Sequence, residues 1–305
     1  MNTIVNSQPL STKIINALLS FKPLASFAKH NARKMMMTRA SKIGLDWQGK
    51  VNTLQSSCDW EEKLTEVENP SLDYPAYYLN SFHAYEKGNL AWQPAWELET
   101  AAYTVHSTIY SPTPEVSGDP TLRQKYHEVL QSKIAVSPPK ILDVGCGVGL
   151  STFALADTFK NADITGLDLS PYFLAVAKYQ GEKQQRRINW LHQAGETTHL
   201  DGESLDLVSC FLVFHELPQE ASRKIIEEAY RLVKPGGYFA LMDMNPQSEV
   251  YQKMPRYVLT LLKSTEPFLD QYFSLDVAQT MTKVGFQHPE IIPISARHRV
   301  IITQK

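Results

Sequence analysis

Cysteine is scarce in this sequence: Cys58, Cys146 and Cys210 are the three among 305 residues. They are odd in number and lack a Cys-x-x-Cys pair, which excludes a disulfide framework and a zinc knuckle. A reducing, cytoplasmic setting is therefore expected, and no metal is expected. Long apolar runs are missing as well. No stretch reaches the roughly 18 residues of a membrane span, and no short apolar run ends in a small-residue cleavage site. Repeats with a period of about 20–50 residues are absent, which sets aside solenoids and propellers. Cationic excess is also lacking, with 30 Lys and Arg against 32 Asp and Glu, so a nucleic-acid partner is not expected.

Acids are missing from one place. Residues 1–45 hold seven cations (Lys13, Lys22, Lys29, Arg33, Lys34, Arg39 and Lys42) and no carboxylate, so a chain of net charge −2 leaves −9 for the remainder. Ile14, Ile15, Leu18, Leu19 and Phe21 lie among these cations. Three readings fit: a basic helix packed on an acidic domain, a peripheral contact with an anionic membrane, or a transit peptide. Nothing in the sequence sets the oligomeric state.

What is present is the balance of a folded protein, 43% apolar and 20% charged. Proline and glycine cluster at Ser111–Pro120 and Ser137–Pro139 around a helix-like stretch, Leu122–Ile134. This divides the chain into a helical, aromatic part at 1–120 and a second part at 121–305. In the second part short apolar strands alternate with helices, as in parallel β/α units. Strands are expected at Lys140–Val144, Asp163–Leu167, Ile188–Leu191, Asp206–Leu212 and Tyr238–Asp243, with helices at about Leu150–Lys160, Pro171–Gln180 and Gln219–Val233. An irregular stretch, Asn245–Asp270, is expected to lead to a helix capped by Ser274, then to a hairpin at Ile291–Ile294 and Val300–Ile302. The fold expected is a doubly wound, Rossmann-like α/β sheet fronted by a mainly helical extension.

The sharpest motif is Ile141-Leu-Asp-Val-Gly-Cys-Gly-Val-Gly149, a strand running into three alternating glycines and then a helix. Glycines let the backbone approach a ligand, and a helix start offers unpaired N–H groups to a carboxylate. A dinucleotide fold needs Gly-x-Gly-x-x-Gly; here Leu150 holds the third place. Further on come Gly166-Leu-Asp-Leu-Ser170, the strand Asp206–Leu212 ending towards His215-Glu-Leu-Pro218, and Lys234-Pro-Gly-Gly237.

Together these motifs resemble the class I S-adenosylmethionine-dependent methyltransferases, over roughly Leu122–Lys305 and in the family's order. The resemblance implies a seven-stranded methyltransferase sheet and S-adenosylmethionine as cofactor. It places Asp143, Gly145, Gly147 and Gly149 by the methionyl part, Asp168 with Leu169 by the ribose, and Ala194, Gly195 and Glu196 by adenine. The family's usual acid near adenine falls here on Ala194. Asp143 has a second reading, as a cap for the loop backbone. Cys146 reads as a small filler.

On the acceptor side, methyl transfer from a sulfonium needs mainly alignment, since the leaving group is already good. His215 is the best-placed base, with loop shaping as its other reading; Glu216 and His298 are weaker candidates. Seven aromatics lie in Tyr74–Trp96. They form either a substrate lid or the core of a helical subdomain, with Tyr85, Trp92 and Tyr110 as pocket candidates. That front region also resembles plant and cyanobacterial methyltransferase-like proteins. The expected acceptor is a small or mid-sized aromatic or lipophilic metabolite, methylated on O or N in specialised metabolism. Carbon methylation of a quinone-type ring is the alternative. A catalytically silent cofactor-binding partner and a nicotinamide-dependent oxidoreductase are the readings from other classes.

Overall fold

The computed structural model describes residues 33–83 and 85–305. Seven strands, β1 (Lys140–Val144), β2 (Asp163–Asp168), β3 (Asn189–His192), β4 (Leu205–Phe211), β5 (Val233–Met244), β6 (Glu290–Pro293) and β7 (His298–Gln304), form one sheet. Its order is β3-β2-β1-β4-β5-β7-β6. The first five strands run parallel and β7 runs antiparallel to both β5 and β6. Because the side-chain period of a strand is two, alternate apolar residues serve opposite faces. Leu142, Val144, Leu167 and Val208 pack towards Ile225, Ile226 and Ala229 of the helix Gln219–Leu232. Ile141, Ile164, Leu207 and Ala240 pack towards Leu122, Tyr126 and Leu130 of the helix Gly118–Lys133. The direction of winding reverses between β1 and β4, which opens a crevice at their carboxyl ends, where open α/β sheets take ligands.

The extension consists of helical turns at 33–42, the helices Trp47–Gln55, Trp60–Thr65 and Trp92–His106, and a 3-10 turn at Ala76–Leu79. Asp46 and Asp59 cap two of the helices by accepting from Gly49 N–H and from Glu61 and Glu62 N–H. Trp60, Ala95, Trp92 and Trp96 bury against Phe173 and Val176 of the helix Pro171–Lys183, so the extension shares a core with the sheet domain. A buried ionic link adds to this. His106 Nδ1 lies 2.6 Å from Asp119, which also binds Arg123. Burial alone would raise the Asp119 carboxyl, but the Arg123 guanidinium and His106 outweigh it and hold it well below the usual range.

Several expectations need correction. The helix expected at Leu122–Ile134 begins at Gly118, so a division at residue 120 falls inside its first turn; Asp119 there is tied to Arg123 one turn on. The stretch expected to be irregular carries the helices Glu249–Gln252 and Arg256–Thr265. Ser274 ends one helix, Leu269–Ser274, and Asp276 caps the next, Val277–Val284, by accepting from Gln279 N–H. The basic front segment lies outside the described residues over 1–32. From residue 33 it packs onto the extension, with Arg33 paired to the buried Glu97 and Ala40 enclosed beside Trp47 and Val51. No helix among the described residues is long and apolar enough to cross a membrane.

Candidate active site

The loop after β1 turns back over β2: Gly145 and Cys146 N–H groups donate to the Leu167 carbonyl at 2.8 and 3.0 Å. Gly145 and Gly147 have φ of 70° and 54°, in the left-handed region that favours glycine. A Cβ on Gly145 would stand 2.5 Å from Val213, and one on Gly147 2.9 Å from Leu98. Gly149, at φ 88°, caps the helix Leu150–Thr158. Asp143 sits beneath that helix start. Its Oδ2 accepts from the Ser151 and Thr152 hydroxyls at 2.6 and 2.7 Å, while Oδ1 is buried without a partner among the described residues. Burial raises this carboxyl to about 6 against the pull of the two hydroxyls. The structure thus gives Asp143 an architectural task at the loop. Cys146 is buried, and burial pushes its thiol up.

Asp168 ends β2 with three donors on its carboxylate. Gly147 N–H reaches Oδ2 at 2.8 Å, and Ser170 N–H and the Tyr78 hydroxyl reach Oδ1 at 2.8 and 3.4 Å. Burial lifts Asp168 to about 6 although these bonds oppose it. Leu169 is buried, and its carbonyl is bound by His192 Nε2 at 3.0 Å. Beyond β3, Glu196 Oε1 accepts from the Tyr77 hydroxyl at 2.6 Å and Glu196 Oε2 is buried without a partner among the described residues. Gly195 lies so close to Val144 that a Cβ would come within 2.8 Å of it. Ala194 departs from expectation, because its N–H is taken by the Gln193 side chain at 3.1 Å.

A glycine cradle at a helix start, a hydroxyl-accepting carboxylate at Asp168 and the unpartnered Glu196 oxygen suit an adenosine cofactor that carries a carboxylate tail. The family pattern described as a methyltransferase domain matches residues 141–237. A ubiquinone biosynthesis O-methyltransferase of Coxiella burnetii is 33% identical over 177 residues, covering 57% of this chain and 73% of that protein. An uncharacterized methyltransferase of Synechocystis is 29% identical over 53% of this chain and 74% of its own length. Among solved structures, a Haemonchus contortus phosphoethanolamine N-methyltransferase 2 in complex with S-adenosyl-L-methionine aligns at TM-score 0.51 and 14% identity. It covers 76% of this chain and 60% of that one, and the likeness concerns the fold. The chain belongs to the class I S-adenosylmethionine-dependent methyltransferases.

The aromatic residues expected to line a pocket have other partners in the structure. Tyr85 donates to Glu97 at 2.7 Å, inside the ion pair with Arg33. Trp92 stacks on Trp96, meets Tyr172 edge-on and donates to Glu61. Tyr110 is 37% exposed and bonds the Ile294 carbonyl, far along the chain in the closing hairpin. Tyr85 and Trp92 are bonded within the extension, and Tyr110 ties it to the closing hairpin. The aromatics that reach Glu196 and Asp168 are Tyr77 and Tyr78, and Tyr74 stacks on Tyr78 and touches His192 at 3.2 Å.

His215, on the 3-10 turn Phe214–Glu216 after β4, binds Asp243 of β5 twice, through Nδ1 at 2.8 Å and its backbone N–H at 3.1 Å. Its Nε2 then faces Glu216 at 4.0 Å, in a cluster that includes His83. His83 Nε2 is 2.9 Å from Glu266 and 3.5 Å from Glu216. Burial would lower His215, but Asp243 outweighs it and raises the ring to about 10. Asp243 thus favours the protonated form of this ring in the ligand-free protein. His298 is pushed down to about 2 by burial and bonds Ser295, which gives it a local task in the hairpin. His83, Asp243 and Glu266 were not singled out as site residues by sequence. Asp243 carried one usable signal, an acid at the carboxyl end of a strand beside β4; Glu266 carried none.

Proposed function

We propose that this methyltransferase acts on a hydroxyl of an aromatic or quinone-type ring. The observation that carries the reading is the cluster of His83, His215, Glu216 and Glu266 at the carboxyl edge of β4 and β5, next to the cofactor loop. The names of the similar O-methyltransferases support it, and they favour oxygen over the ring carbon. Asp168 would hold the ribose, the Gly145–Gly149 loop the methionyl part, and Gly195–Glu196 the adenine side. The cofactor, when bound, supplies a methyl group on a sulfonium whose departure needs no acid. The chain's own residues then orient and shield. His215 is fixed by Asp243 so that Nε2–H points into the cluster, where it can hold an acceptor oxygen in line. Tyr77 and Tyr78 cover the acids beneath them and exclude water.

Incubation of the full chain with radiolabelled S-adenosylmethionine and a panel of hydroxylated quinols and catechols is expected to give labelled methyl ethers. His215→Ala is expected to lower turnover by about 10²–10³-fold, the scale of one oriented donor to a developing charge, without changing S-adenosylmethionine affinity. Label appearing on amines or ring carbons, with none on oxygen, would refute the acceptor assignment. Cofactor binding without any methyl transfer to the panel or to a metabolite extract would return the silent-partner reading.

A further inference from the structure

We infer that His83, His215 and Glu266 form a binding site for one divalent transition-metal cation of the zinc and manganese kind. Three elements remote in sequence deliver these residues to one point: a turn of the extension, the 3-10 turn after β4, and the residue that follows the helix Arg256–Thr265. One ligand atom from each, imidazole or carboxylate, lies within 4.8 Å of the others. Ligand atoms around such a cation, bound at roughly 2.0–2.2 Å, stand about 3–3.5 Å apart, so side-chain adjustments of an ångström or so complete the set. Glu216 Oε1, 3.5 Å from His83 Nε2 and 4.0 Å from His215 Nε2, borders the same point as a fourth oxygen.

Three observations favour a cation over a plain hydrogen-bonded cluster. The Glu266 carboxylate is buried, and its Oε2 has no donor among the described residues. An unpaired buried carboxylate oxygen is costly, and a cation would satisfy it. His215 is held as metal-bound histidines usually are, with Nδ1 on a carboxylate, Asp243, and Nε2 turned inward. His83 sits at φ 47°, an uncommon backbone for a side-chain-bearing residue. It is fixed there by its N–H to the Thr265 carbonyl and by the tight Phe82–Tyr85 turn. Such strain persists where a side chain must be aimed.

Two imidazoles with carboxylate oxygens suit first-row transition cations better than magnesium, which prefers oxygen ligands alone. The sequence does not announce the site, because His83, His215 and Glu266 are far apart along the chain. With the cation bound, both rings become ligands through unprotonated nitrogens, so the cation takes over the hold on the acceptor oxygen that the His215 Nε2–H group has in the metal-free protein. That last step rests on the methyl-transfer reading; the cation site itself does not.

The test uses the full chain, stripped with chelator and given neither cofactor nor acceptor. Zinc, manganese and magnesium are titrated separately by calorimetry, and bound metal is counted after gel filtration. One zinc or manganese per chain is expected, with magnesium much weaker. His83→Ala and Glu266→Ala should each weaken zinc binding by more than about 100-fold, and Asp243→Asn, which keeps the shape of the side chain but weakens its hold on His215 Nδ1, by about 10–100-fold. S-adenosylmethionine affinity serves as the check that each variant is folded. No stoichiometric metal in a protein that binds S-adenosylmethionine, or stoichiometric zinc that survives both ligand variants, overturns the inference. Zinc bound as expected but no methyl transfer to any hydroxylated ring would instead count against the acceptor reading alone.

Discussion

At Asp168, burial and hydrogen bonding act on the carboxyl in opposite directions. Asp168→Ala is expected to weaken S-adenosylmethionine binding by about 1.5–3 kcal/mol, the range for hydrogen bonds to a charged group; equal calorimetric affinities would remove the ribose assignment. The raised carboxyl adds a pH dependence. Ribose hydroxyls donate to the ionised form, so affinity is full above the folded value of about 6 and falls as pH drops through it, by about tenfold at pH 5. For the ligand-free protein the sign is opposite. A carboxyl raised above its unfolded value contributes stability below about pH 4 that is lost as pH rises through 6. If Asp168→Asn keeps the inflection in affinity, Asp143, also raised to about 6, is its source. The place of Asp168 at a strand end, two residues past a glycine, was legible in the sequence. The withdrawal of Ala194 N–H was not, because it depends on the rotamer of Gln193.

Among the elements, the 3-10 turn Ala76–Leu79 joins the extension to the site. Tyr77→Phe removes the hydroxyl on Glu196 and leaves a buried carboxylate with neither oxygen bonded within the described chain. A loss of about 1–3 kcal/mol is expected, seen as faster hydrogen exchange over residues 74–80 and a lower unfolding midpoint. Unchanged exchange there would mean that the turn is held by its rings alone. The strands were legible because apolar runs bounded by glycine and proline leave little choice of period, and the parallel order follows from the helices between them. The helix Arg256–Thr265 was hidden behind Pro255 and a run of mixed character. The aromatic cluster announced burial but not direction. Which rings face the acids depends on the turn at Pro75, where the chain enters the 3-10 helix.

For the whole molecule, the shared core and the His106–Asp119–Arg123 link make the extension and the sheet one body. A single cooperative unfolding transition is expected. Asp119→Ala, which leaves a buried guanidinium and imidazole without their carboxylate, should lower its stability by about 3–5 kcal/mol. Two separate transitions by calorimetry would restore a true domain boundary near residue 120. The division read from proline and glycine marked a change of texture, and the helix Gly118–Lys133 bridges it. The Tyr78 contact also has a consequence in time. A carboxylate has about four acceptor positions; Asp168 has three filled, and a ribose diol brings two donors. Tyr78 must let go before the sugar can dock fully, so association proceeds by exchange. In stopped-flow mixing, the observed rate of S-adenosylmethionine binding should level off at high concentration, at the rate with which the tyrosine leaves, and Tyr78→Phe should abolish that plateau.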